Sequence, residues 1–110
     1  MIKKQIEFPD FVKLDVRVGV VETAEMVSGS DRLLRLEVNL GEEIGTRQII
    51  AGLAEHYEAT DLLDKQVVVI VNLKPRMMMG LESQGMLLAA SSVPALLKPN
   101  KEVENGAIVS

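Results

Sequence analysis

An all-β barrel is the fold class the sequence predicts, and three observations predict it. Leu34, Leu36, Val38 and Leu40 alternate with Arg35, Glu37 and Asn39, the period of a strand with one face buried. Val67-Val68-Val69-Ile70-Val71 is a β-branched run with no polar face, which suits a central strand. Short apolar segments of this kind recur between turn signals, with no long helical period and no internal repeat.

The elements follow in order. Phe8 to Leu14 has the pattern of one helical turn, and Pro9 fits its start, where a missing N–H costs little. Val16, Val18 and Val20 alternate with Arg17 and Gly19, which predicts a half-buried first strand. Ser28-Gly29-Ser30-Asp31 is a turn, and Leu34 to Leu40 is the second strand. Gly41 to Gly45 turns the chain into a third strand, Thr46 to Ala51. Leu53, Tyr57, Leu62 and Leu63 are spaced for one or two short helices. After the fourth strand at Val67–Val71, Asn72 to Gln84 holds Pro75 and Gly80 and is expected to be a loop. Gly85 to Ala90 is the fifth strand, and Asn105-Gly106 marks a tight turn. Three strands, a helical insert and two strands match the five-stranded Greek-key barrel known as the OB-fold. At 110 residues the chain fits one domain, 1–110.

Composition narrows the function. There are no cysteines, which removes disulfides, thiolate metal sites and cysteine nucleophiles together. The single histidine, His56, has no partners at ligand spacing, and Glu42-Glu43 reads as a solvated turn. Gly80 to Gly85 lacks the Lys-Ser/Thr ending of a phosphate loop. The sequence therefore predicts no enzyme, no metal and no cofactor. The N-terminus turns charged at once and no apolar run approaches a membrane span, so the expected location is cytoplasmic, with no membrane partner.

The net charge of −4 argues against nucleic-acid binding until its distribution is considered. Residues 53–64 carry Glu55, Glu58, Asp61 and Asp64 with no Lys or Arg, and the rest of the chain holds 12 acids and 12 bases. The molecule can be acidic on one side and basic on another, and local phosphate contacts set the affinity.

Asn72-Leu73-Lys74-Pro75-Arg76 places an amide and two cations within five residues. Lys74 and Arg76 suit phosphates, Asn72 suits a base edge or a ribose hydroxyl, and Pro75 lowers the ordering cost between the charges. A solvated loop is the plain alternative. Arg32 lies on the turn after Asp31 and is favoured as a ligand contact over Arg35, which alternates with Glu37 and suits a cross-strand ion pair. Arg47, in the third strand, belongs to the same expected nucleic-acid face. Ser83 could bond a phosphate oxygen beside the small Gly85, or only shape a turn. Met77-Met78-Met79 cannot all face a core from a loop; they suit contacts with bases, a peptide or a partner subunit, or cover the barrel end.

Five motifs stand in one order: Leu14-Asp15-Val16-Arg17-Val18-Gly19, Gly29-Ser30-Asp31-Arg32-Leu33-Leu34, Ala51-Gly52-Leu53, Asn72-Leu73-Lys74-Pro75-Arg76 and Ser83-Gln84-Gly85-Met86-Leu87-Leu88-Ala89-Ala90. Together they resemble the tRNA-binding domain shared by the C-terminus of bacterial methionyl-tRNA synthetase and free-standing structure-specific tRNA-binding proteins. The resemblance runs from about residue 10 to the end. It implies an OB-fold whose terminal extensions build a homodimer, tRNA as a partner recognised by shape, and methionyl-tRNA synthetase as a candidate partner or host. The positions it carries over are Arg32, Asn72, Lys74, Arg76, Ser83 and Met86, and the role of Met86 rests on the resemblance alone. Met77, Met78 and Met79 depart from the pattern, since many relatives are more basic there; fewer cations mean a shallower salt dependence. A related branch, of the CsaA type, is described as an export chaperone, and binding of unfolded peptides is the alternative function. A starting Met1 leans toward an independent protein over a synthetase fragment.

The apolar ends, Ile2 to Phe8 and Ala107 to Val109, are expected in an isologous interface.

Overall fold

A computed structural model describes residues 1–110. The chain opens with α1 (Phe8–Val12) and then forms β1 (Val16–Met26), β2 (Leu34–Asn39) and β3 (Thr46–Ala51). A short α2 (Ala59–Leu62) precedes β4 (Gln66–Ile70). Five shorter strands follow: β5 (Arg76–Met78), β6 (Leu81–Ser83), β7 (Met86–Leu87), β8 (Ala89–Ala90) and β9 (Ala95–Leu96). The main sheet is antiparallel in the order β3-β2-β1-β4-β7, a nearly closed five-stranded barrel of the OB type.

The seam between β3 and the approach to β7 is closed mostly by side chains. The Gln84 amide donates to the Gln48 carbonyl at 2.8 Å, and the Gln48 amide donates to Gln84 Oε1 at 2.9 Å. The Ile50 amide donates to Ser83 Oγ at 3.1 Å. Arg47, read from the sequence as part of the ligand face, instead donates from Nη1 to the carbonyls of Val71 and Gln84.

Leu34, Leu36, Val38, Leu40, Ile49, Val67 and Val69 fill the barrel, with Leu53 and Leu62 closing one end from the helical insert. Burying each such aliphatic chain contributes about 1.5–3 kcal/mol. A second, smaller cluster explains why Val67–Val71 lacks a polar face. Val68 and Ile70 lie with Val16 and Val18 under Leu88, Val103 and Ala107. The C-terminal segment is held there as an added strand: the Val18 amide donates to the Ala107 carbonyl at 3.0 Å and the Val109 amide to the Val16 carbonyl at 2.8 Å.

That tail corrects two expectations. The start of β1 is covered on both faces, because Val16 and Val18 point at the tail cluster while Gly19 faces the barrel. A Cβ at Gly19 would lie 2.7 Å from the Asn39 carbonyl oxygen, so glycine lets β1 and β2 approach. The C-terminal residues are likewise partly used within the monomer, with Ala107 half-buried and Ile108 exposed. The Asn105-Gly106 turn is present, closed by Ala107 N–H to the Glu104 carbonyl, and Gly106 takes a φ of +92°. Arg17 clamps this end. It bonds Asp15 at 2.7 Å, Glu43 at 3.0 Å and the Gly106 carbonyl at 3.2 Å. The hydrogen bonds to Asp15 and Glu43 push its pKa further up, so it stays charged wherever the protein folds.

Candidate nucleic-acid interface

The stretch expected as a loop, Asn72 to Gln84, contains a β-hairpin. β5 pairs with β6 in the register Arg76↔Ser83, Met77↔Glu82 and Met78↔Leu81. Met79 and Gly80 make the two-residue turn, both at positive φ (53° and 79°), the backbone that a twisted hairpin favours. Alternation then sorts the methionines. Arg76 and Met78 share a face and line a cavity, while Met77 is exposed on the other face. The Met79 thioether methyl reaches the turn that carries Arg32, 3.6 Å from where a Cβ of Gly29 would stand.

The cavity, about 240 Å³, lies between the end of β3, the Leu73–Lys74 segment, the hairpin and β7. Lys74, Arg76, Ser83 and Met86 all line it. Arg32 stands beside it, its Nη2 4.0 Å from the position of a Gly52 Cβ, and Gly52 is on the cavity rim. The three cations singled out in the sequence therefore meet at one rim.

Their electrostatic states differ. Lys74 and Arg76 are exposed and enter no ion pair. Arg32 makes one loose contact, 3.8 Å to Glu55, with both side chains well exposed. Such a surface pair contributes about 0–1 kcal/mol and exchanges readily for a phosphate. Arg35 is committed elsewhere: Nε donates to Gln48 at 2.7 Å, and Glu25 and Glu37 flank the guanidinium. Arg32 is thus the freer of the two side chains.

Two of the expected contact residues have polar groups that are already occupied. Asn72 Oδ1 accepts the Asp15 amide at 2.8 Å and its Nδ2 donates to the Lys13 carbonyl at 2.6 Å. It braces the α1–β1 junction against the segment that carries Lys74. Ser83 is buried, and its hydroxyl accepts from Ile50 and donates to the Gly85 carbonyl at 3.1 Å. Both side chains are thus bonded within the chain, Ser83 buried and Asn72 still exposed. Met86 is 44% exposed at the mouth of the cavity.

Sequence reasoning about chemistry missed Gly52 and Leu73 as cavity residues. Ala51-Gly52-Leu53 appeared only as a motif, because glycine and leucine advertise no chemistry. A second cleft also went unread. Lys65, Lys98 and Lys101 line it together with Asp64, Glu102 and Glu104, so it lacks a single sign of charge. His56 is exposed, and no cluster of metal-ligating side chains exists. No helix is long and apolar enough to cross a membrane.

Comparison with known proteins agrees with the fold. Residues 16–108 match the family model described as a putative tRNA binding domain. A methionine–tRNA ligase of Methanosarcina acetivorans is 50% identical over 105 residues, which are 93% of this chain and 15% of that protein. Among solved structures, a MetRS-related protein from Pyrococcus horikoshii superposes with a TM-score of 0.91 at 32% identity, covering 98% of this chain and all of that one. The chaperone CsaA from Bacillus anthracis gives 0.88 at 34% identity, covering 97% and 100%. Matched across nearly its whole barrel and half identical to a segment of a methionine–tRNA ligase, the chain belongs to the putative tRNA-binding domain family.

Proposed function

We propose that the protein is a non-catalytic cytoplasmic module that binds tRNA by shape, as a homodimer, through the rim formed by Arg32, Lys74 and Arg76. One observation carries this reading. In a molecule of net charge −4, exposed cations from two distant parts of the sequence, Arg32 and the Lys74–Arg76 pair, stand at one cavity rim. Backbone phosphates are the ligands such a rim fits, because they recur at fixed spacing and need no sequence readout. Met86 adds an apolar contact, and Asn72 and Ser83 act as braces behind it. The family and the likeness to synthetase segments support tRNA as the RNA, and methionyl-tRNA synthetase as host or partner.

A gel shift with bulk tRNA at low and moderate salt tests the reading. Binding should fall steeply as salt rises, and Lys74→Ala with Arg76→Ala should weaken it while the fold survives. Unchanged affinity in that double variant rejects the site. The second reading, a peptide-binding chaperone, is favoured by the exposure of Met77 (67%) and Met79 (58%) and by the likeness to CsaA. It requires binding of unfolded polypeptide that salt leaves intact and that Met77→Ser, Met78→Ser and Met79→Ser together abolish.

A further inference from the structure

The cavity under the basic rim is more apolar than phosphate contact requires. Nine of its fourteen lining residues are apolar, Leu53, Leu73, Met78, Met86, Leu87 and Leu96 among them. At about 240 Å³ it falls just below the roughly 300–1,000 Å³ of pockets that take drug-sized ligands. It has room for one planar ring system. The thioethers of Met78 and Met86 are polarizable and suit contact with an aromatic ring.

The rim supplies the complementary polar groups. Gly52 is exposed there, and neither its N–H nor its carbonyl bonds to the backbone of the chain. The space beyond its Cα is open, since a Cβ would meet only the Arg32 guanidinium at 4.0 Å. One donor and one acceptor on the rim are thus left without a backbone partner. Lys74 and Arg76 flank the same mouth, both unpaired.

We infer that the cavity captures one unstacked base of single-stranded RNA, with the base edge on Gly52 and the flanking phosphates on Lys74 and Arg76. A nucleotide in a loop or at an end carries this combination of a flat apolar face, a hydrogen-bonding edge and an anion on either side. An apolar peptide side chain would fill the volume but leave both cations without a counter-charge. The inference rests on the RNA-binding reading and adds that the site takes a base as well as backbone.

The test compares two ligands of equal charge, pentauridylate and a pentamer of abasic ribose phosphates, titrated onto the full chain at one salt concentration. Pentauridylate should bind roughly tenfold tighter, the scale of one base contact. Met86→Gln, which keeps the length of the side chain and removes the thioether, should bring that ratio close to one, with an unaltered thermal melt confirming the fold. Equal affinity of the two pentamers for the wild-type chain, with bulk tRNA still bound, overturns the base site and leaves the tRNA reading standing. Failure to bind any RNA overturns both. Binding of an uncharged apolar peptide, without a base preference between the pentamers, reassigns the cavity to peptides.

Discussion

Arg47 donates to the Gln84 carbonyl at 3.0 Å across the one seam where the barrel lacks a continuous strand ladder. The same nitrogen donates to the Val71 carbonyl at 3.0 Å. A half-buried charge therefore stands in for backbone pairing, and it fixes the segment from which the cavity wall begins.

Arg47→Ala should accordingly cost stability before function. Two part-buried carbonyls lose a charged donor, at about 1–3 kcal/mol for each unsatisfied group. Urea denaturation should show a total loss of roughly 2–6 kcal/mol. Below the transition, tRNA affinity should stay within a factor of two or so, since nothing on the rim is removed. A large loss of affinity with unchanged stability would place Arg47 on the ligand after all.

Arg32 and Arg35 separate in the opposite sense. Arg32→Ala removes an exposed side chain whose contact to Glu55 is long, so stability should move by no more than about 0.5 kcal/mol. Its tRNA affinity should drop, with the salt slope shallower by about one. Arg35→Ala breaks the Gln48 bond and the ion pairs on β1 and β2, and should destabilise by about 1–2 kcal/mol while leaving the salt slope alone. Melting curves and salt titrations on both variants check the pair.

Gly19→Ala tests the packing claim most directly. The added methyl would lie 2.7 Å from a backbone oxygen and 2.8 Å from Val38 Cγ1, so relief requires a shift of the strands themselves. Overpacking of this kind costs about 1–3 kcal/mol. The midpoint in urea should fall accordingly, whereas Gly45→Ala, with nothing near its Cβ, should pay only for its positive φ.

How far the sequence spoke depended on what kind of pattern each part carries. β2 was legible because its alternation is strict and its burial alternates with it, Leu34, Leu36 and Val38 in, Arg35, Glu37 and Asn39 half-out. β4 was legible as a fully buried strand, but its second cover was not, because a tail such as Val103 to Val109 has no periodicity to reveal what it packs against. The hairpin was missed since Pro75, Gly80 and three methionines carry no strand preference; Ser83 and Gln84, at its end, bond to β3 across a long stretch of sequence. Among the site residues, charge announced Arg32, Lys74 and Arg76 correctly as exposed groups. Charge and polarity alone do not reveal that Asn72 and Ser83 also bond inward, because their partners Lys13, Asp15 and Ile50 are distant in sequence.

The N-terminal segment carries the last prediction. Ile2 (96%), Ile6 (68%), Phe8 (75%) and Val12 (60%) are exposed, and Phe8 and Phe11 touch only each other as rings, at 6.3 Å. The proposed homodimer would bury this apolar surface. Ile6→Asp with Phe8→Asp should therefore convert a dimer to a monomer in sedimentation equilibrium, with the barrel still folded. Such a monomer presents one basic rim in place of two. Linked binding makes the second contact intramolecular, so tRNA affinity should fall by tenfold or more, while pentauridylate, which occupies a single rim, should bind as before. Equal loss for both ligands would mean that the substitutions damage the site itself. A wild-type chain that sediments as a monomer would remove the avidity argument and leave the three cations to account for binding alone.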